Sequence, residues 1–315
     1  MKPVRFCARL AALYCFLAFL PPSLHAQPAT DDSGGEDRVL TTPDNWPLRI
    51  NYYESTGGKE SPVVILFPGV EGKEDSMTRK VWSGVAKSLH QAGYAVVTAD
   101  LRKHGDSVLT TADGEPDPRT VKLTTADYGL MAAVDLETIK AFLLEEHEKQ
   151  KLNIRKLGIG TAGSGCMVAV AFAVNDWLKK PWADNAVFSL RTPKGQDVRA
   201  ILMLSPNSSV RGLNTNALVK ALPVPPQGVA VHIWYNPTIS AEKKSAEKLF
   251  GLLEVKGSFA DARKLNEGPA DKEFSKEGLL QGKAKPLMEK HIVDFFDNGL
   301  RKVESPWATR KSRLE

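Results

Sequence analysis

The sequence has only three cysteines, and two of them, Cys7 and Cys15, lie within the first 26 residues. That segment has the pattern of a secretory signal peptide, with a basic start, an apolar run at Leu10–Leu20 and a predicted cleavage site after Ala26. Cleavage leaves Cys166 alone, so an intramolecular disulfide is excluded and the fold must depend on its core. We therefore expect an exported protein, secreted or periplasmic, that folds without a cross-link.

Long apolar runs and a strong excess of one charge are also lacking. No stretch reaches the roughly 20 apolar residues that a membrane-spanning helix needs, so no transmembrane anchor is expected after cleavage. The chain has 42 basic and 37 acidic residues, and loss of three basic residues with the signal lowers 42 to 39. This balance excludes a dedicated nucleic-acid-binding protein. No metal-ligand spacing and no dinucleotide-binding glycine pattern is visible, so neither a metal nor a cofactor is predicted.

The mature chain shows no repeat and no internal linker, which indicates one domain at 37–302. Residues 27–36 are polar and glycine-rich and predict a flexible lead-in, and 303–315 predict a basic, solvated tail. A hairpin is expected at 38–54, and short apolar runs then alternate with amphipathic segments. The predicted strands are 62–67, 94–99, 156–160, 198–204 and 229–235, and the predicted helices lie near 81–89 and at 126–148, 165–177 and 285–300. Such alternation is typical of a three-layer α/β fold, a mostly parallel central sheet with helices on both faces.

Two loops of this pattern resemble motifs of the α/β-hydrolase family, over roughly residues 38–300. The loop Phe67–Gly72 resembles the family's oxyanion loop, with Pro68, Gly69 and Val70 at its centre and proline in place of the usual histidine. The second motif is close to the family's D-x-R-G-H-G-x-S turn, a turn that chiefly holds a loop in place. Its matching residues are Asp100, Arg102, His104, Gly105 and Ser107.

The third motif is the strand–turn–helix at 156–177, where the resemblance places the nucleophile elbow. The elbow is so tight that the residues two before and two after the nucleophile must be small. The ungapped match puts Gly163 at the nucleophile position, and a shift of one residue back puts Ala162 there. Neither residue can attack a substrate. A shift of one residue forward makes Ser164 the nucleophile, although a serine that begins a helix equally well caps its backbone.

The other two members of a catalytic triad are also missing from their expected positions. The loop after the strand 229–235 reads N-P-T-I-S, and its first following carboxylate is Glu242. The loop 278–283 before the last helix contains no histidine. His291 lies within that helix, on a face that we expect to be in the core, and His104 belongs to the turn described above. Without a base and an acid, a serine hydroxyl remains a poor nucleophile.

Two hypotheses from different classes follow. The combination resembles secreted bacterial members of the family that lack the nucleophile serine, which implies a non-catalytic protein that binds a small molecule or a partner in the cell envelope. The alternative is a serine ester or amide hydrolase that uses Ser164, with His104 or His291 as its base. In that case backbone N–H groups near Gly165 and Gly69–Val70 would form the oxyanion hole.

Overall fold

The computed structural model describes residues 34–71, 77–225, 227–253 and 261–314. The predicted signal peptide and most of the predicted lead-in lie outside these residues. Eight strands form one sheet in the order β1-β2-β4-β3-β5-β6-β7-β8. β2 pairs antiparallel with both of its neighbours, and the six strands from β3 to β8 are mutually parallel. The strands are β1 Glu36–Thr41, β2 Pro47–Tyr53, β3 Val63–Leu66, β4 Ala95–Ala99, β5 Leu157–Ala162, β6 Val198–Leu204, β7 Ala230–Tyr235 and β8 Arg263–Glu267.

Helices cover both faces of the sheet, because its central strands are apolar on both sides. Every residue of β3, β4 and β5 is buried. The helices are α1 Ser83–Gln91, α2 Thr125–Leu130, α3 Leu136–Glu148, α4 Gly165–Leu178, α5 Thr215–Ala221, α6 Ser240–Leu252 and α7 Lys285–Phe296. α1 and α7 contribute to one hydrophobic core, and α3 to α6 contribute to the other on the opposite face. The predicted three-layer α/β architecture is confirmed.

Several predicted elements differ in detail from those observed. β8 was not predicted, because its sequence RKLNE is polar and only Arg263 is buried. The long helix at 126–148 is interrupted by a π-helical turn, Met131–Asp135, which brings the Asp135 carboxylate onto Arg102. In α7 the apolar face is formed by Met288, Ile292, Phe295 and Phe296.

The prediction of a frayed, solvated C-terminal tail was wrong. Trp307 donates its indole N–H to the backbone oxygen of His147, and the two rings stack with centroids 5.0 Å apart. Arg310 is buried and forms an ion pair with the buried Asp197. The tail is therefore part of the folded domain. No helix among the described residues is long and apolar enough to span a bilayer.

Candidate functional site

The turn between β5 and α4 has the geometry of an elbow, with Gly163 at its apex. Gly163 has a φ of 52°, the left-handed conformation that favours glycine. Its N–H donates to the Leu204 oxygen, and its own oxygen accepts the N–H of Asn207. Ala162 is the last residue of β5, and Ser164 is the N-cap of α4 with helical backbone angles. The residue at the apex therefore has no side chain with which to act.

The space next to this apex is filled by the carboxylate of Glu71. A Cβ atom built on Gly163 would overlap the Oε1 atom of Glu71. A serine at this position would therefore displace that carboxylate, in addition to adopting a strained backbone. Glu71 follows β3 on the loop that the sequence marked as the oxyanion loop.

Four donors from three other segments hold the Glu71 carboxylate. Its Oε1 accepts the backbone N–H of Ser164 at 2.8 Å, and its Oε2 accepts the Ser164 hydroxyl at 3.1 Å. The side-chain amide of Asn207 lies 3.1 Å from Oε2, and the ammonium group of Lys276 lies 3.2 Å from Oε1. We call Ser164, Asn207 and Lys276 the carboxylate cradle. Three segments that are distant in sequence thus converge on one anion.

Two backbone N–H groups close to the elbow, those of Ser164 and Gly69, already donate to carboxylates of the protein. In the elbow the N–H that faces the apex belongs to Ser164, the residue after Gly163, and it binds Glu71. On the other side, the Gly69 N–H donates to the carboxylate of Glu277 at 2.5 Å. Burial raises the pKa of Glu277.

The positions of the acid and the base are filled by groups that serve the fold. Glu242 accepts the Ser205 hydroxyl at 2.6 Å and the backbone N–H of Asn236 at 3.0 Å, so it ties the ends of β6 and β7 together. The segment between β8 and α7 contains no histidine. Its Lys276 has a φ of 50°, donates its backbone N–H to Ser205 and sends its ammonium group to Glu71.

The two histidines considered as fallback bases lie elsewhere. His104 is buried, its Nδ1 atom is 2.9 Å from the Arg102 oxygen, and burial lowers its pKa. His291 is half-buried, and its ring lies 4.9 Å from that of Trp234. Neither forms a hydrogen bond with Ser164 in the part of the chain that the structure describes. The Ser164 hydroxyl instead accepts from the Asn207 amide at 2.8 Å while it donates to Glu71.

The turn after β4 is bound together by its own side chains. The Asp100 carboxylate accepts the Arg79 backbone N–H and pairs with the Arg79 guanidinium at 2.6 Å. The Ser107 hydroxyl donates to the Asp100 oxygen. Gly105 has a φ of 49°, and a Cβ there would overlap the Asp100 carboxylate. The turn is therefore held together by its own side chains, as the sequence resemblance implies.

Sequence reasoning missed Glu71, Asn207 and Lys276. The only available signal was a carboxylate in a loop that should present backbone N–H groups. Among the described residues, no group of three or more His, Cys, Asp or Glu side chains is placed to hold a metal ion. The arrangement holds one carboxylate of the protein with hydrogen bonds and one cation.

Comparison with known proteins supports the fold alone. No family model and no curated protein sequence matches this chain. The dienelactone hydrolase of Anabaena variabilis is similar in structure, with a TM-score of 0.55, 18% identity, and coverage of 85% of this chain and 98% of that one. Esterase 2 of Thermogutta terrifontis gives 0.55 and 13%, with 84% and 94% covered. A lidless α/β serine hydrolase of Xanthomonas campestris gives 0.50 and 13%, with 85% and 94% covered.

Proposed function

Because the chain has the α/β-hydrolase fold and a carboxylate fills its nucleophile position, we propose that it is an exported, non-catalytic protein that binds a ligand or an envelope partner. The observation that carries this proposal is the contact between Glu71 and the elbow. The carboxylate fills the space of the missing nucleophile side chain and accepts the N–H of Ser164. At the apex a substrate carbonyl would meet no attacking group, and the Ser164 N–H that would stabilise it is already bound to Glu71.

The serine hydrolase alternative depends on Ser164. Its hydroxyl is one residue past the apex and is held by Glu71 and Asn207, without a histidine among the described residues. A carboxylate alone is a weak base for a serine hydroxyl, whose activation normally requires an oriented histidine. The geometry therefore favours the non-catalytic reading.

Labelling of the purified mature protein with a fluorophosphonate probe tests this proposal. We expect no labelled serine peptide by mass spectrometry under conditions that fully label an active esterase in parallel. Labelling at Ser164 that is abolished by Ser164→Ala would establish the hydrolase alternative instead. Export is tested separately, by N-terminal sequencing of the protein recovered outside the cytoplasm, where a start at Gln27 is expected.

A further inference from the structure

A large open cleft lies at the edge of the sheet opposite to the elbow. Its volume is about 1030 Å³, and its walls come from the starts of β6, β7 and β8 and from the segment after α7. β6 has seven residues, so at about 3.3 Å per residue the two edges are roughly 20 Å apart. No residue of the carboxylate cradle lines this cleft.

The charged side chains of the cleft do not balance. Four basic residues and two acidic residues line it, which leaves an excess of two positive charges before any histidine is counted. These residues are Arg155, Arg199, Lys264, Lys302, Asp261 and Glu304. Lys264 and Asp261 form an ion pair at 3.0 Å, and both belong to the same rim.

The other three cations are held in place by neutral oxygens. Arg155 donates to the Pro306 oxygen at 2.7 Å, Arg199 donates to the Gln227 oxygen at 2.5 Å, and Lys302 donates to the Asn298 side chain at 2.7 Å. Within the described residues, none of the three forms an ion pair with a carboxylate. Burial and then the charge of Arg155 lower the pKa of Arg199, as expected for cations that share one cleft.

The cleft also has an aromatic wall. The His232 ring stacks on Phe295 with centroids 4.2 Å apart. Its Nε2 atom lies 3.2 Å from the Asp261 backbone oxygen. Burial lowers the pKa of His232 to about 4, so the ring is neutral near pH 7. The Arg199 guanidinium stacks over Trp177 at 4.8 Å, which fixes the orientation of its planar fork.

A second cleft, of about 600 Å³ around Trp182, contains basic residues that pair with buried or neighbouring carboxylates. Its Lys149 pairs with Glu146, its Lys179 pairs with Glu137, and its Arg310 pairs with Asp197. These three of the five basic residues that line that cleft therefore serve the fold. In the larger cleft, Arg155, Arg199 and Lys302 are positioned without a carboxylate partner in the described residues.

We propose that the larger cleft is a binding site for a phosphate monoester with an apolar, planar part. The doubly negative phosphate matches the excess of two positive charges, and arginine forks match its oxygens. The His232–Phe295 wall accepts the apolar part. The site is independent of the elbow, so it adds a ligand class to the protein whether or not Ser164 is inert.

Isothermal titration of the mature protein with phenyl phosphate tests this site. We expect saturable binding that weakens as salt rises from about 50 to about 200 mM, because part of the affinity is electrostatic. Benzoate, with one charge, should bind at least about tenfold more weakly. Absence of binding by phenyl phosphate up to about 10 mM, or equal binding of benzoate, would overturn the proposal for a soluble ester.

Variants then assign the binding to the cleft. Arg199→Gln and Arg155→Gln should each raise Kd about tenfold or more, and Lys149→Gln, whose lysine pairs with Glu146 in the second cleft, should leave it unchanged. Lys302→Gln, at an exposed position, covers the case in which Arg199→Gln fails to fold. Equal affinity in all cleft variants would refute the assignment. Sedimentation with phosphatidic acid vesicles tests a lipid source: binding to vesicles alone, lost in the same variants, would assign the phosphate to a headgroup.

Discussion

Replacement of Glu71 by alanine tests whether the carboxylate cradle has the energetic role that its geometry implies. The substitution removes one ion pair and the hydrogen bonds from Ser164 and Asn207. Buried hydrogen bonds to a charged group contribute about 1.5–3 kcal/mol each, and a partly exposed ion pair contributes about 0.2–1 kcal/mol. Because the Glu71 side chain is 25% exposed, we take the lower end of each of these two energy ranges. Three hydrogen bonds and one ion pair at these lower ends give an expected loss in the free energy of unfolding of about 4–5 kcal/mol.

Small carboxylates should restore part of that loss. In Glu71→Ala the cradle keeps its donors and gains a space of carboxylate size, so formate should bind there. At ten times its Kd, formate would stabilise the variant by about 1.4 kcal/mol, or about 3–6 °C in Tm for a chain of this size. The assay is thermal unfolding in sodium formate, compared with sodium chloride at equal ionic strength.

Two controls separate the cradle from general salt effects. The wild-type protein and Glu71→Gln, whose side chain still fills the space, should gain nothing from formate over chloride. Equal stabilisation of all three proteins by formate would refute the reasoning. So would a Glu71→Ala variant that unfolds within about 0.5 kcal/mol of the wild type, the range typical of inert surface positions.

Three further predictions concern other parts of the fold. Gly163→Ala should lower the free energy of unfolding by about 1–3 kcal/mol in the wild type but by less in Glu71→Ala, where the new Cβ no longer overlaps the Glu71 carboxylate. Denaturant titration of the two single variants and the double variant measures this difference. Burial lowers the pKa of His232 to about 4, so its stabilising contribution is complete above about pH 6.5 and is lost as pH falls from there towards 4. The urea midpoint should therefore be lower at pH 5 than at pH 7, and this difference should be smaller in His232→Phe. Arg310→Met should cost about 3–5 kcal/mol because it leaves the buried Asp197 with less compensation, whereas Arg313→Ala, at an exposed position, should stay within about 0.5 kcal/mol in the same titration.

The elements that were predicted well are those whose pattern is local. Buried parallel strands such as Val63–Leu66 are apolar throughout, because both faces of the sheet are covered. β8 departs from this rule because it is an edge strand, so its polar residues can face solvent. In α7 two adjacent apolar residues have opposite environments, because Leu287 is 49% exposed and Met288 is buried. The helix face depends on how α7 packs against α1, which periodicity alone does not determine.

At the site too, the local features were predictable and the long-range contacts were not. The tight turn requires small residues, so the sequence alone was sufficient to narrow the apex to positions 162–164. The occupant of the apex was not predictable, because Glu71 is 93 residues from Ser164 and 136 from Asn207 along the chain. No local pattern connects segments at such distances. Only the parallel sheet, which brings the carboxyl ends of β3, β5 and β6 to one edge, makes them neighbours.

The sequence by itself thus determined the fold class and confined the apex of the turn to positions 162–164, since each depends on local sterics and hydrophobic periodicity. The tertiary structure alone decided that a carboxylate fills the vacant position and that a lysine lies where a base would be needed. It also decided that the basic tail is folded against the domain. These features depend on contacts between distant segments, whose geometry is set by packing and by the pairing of buried charges.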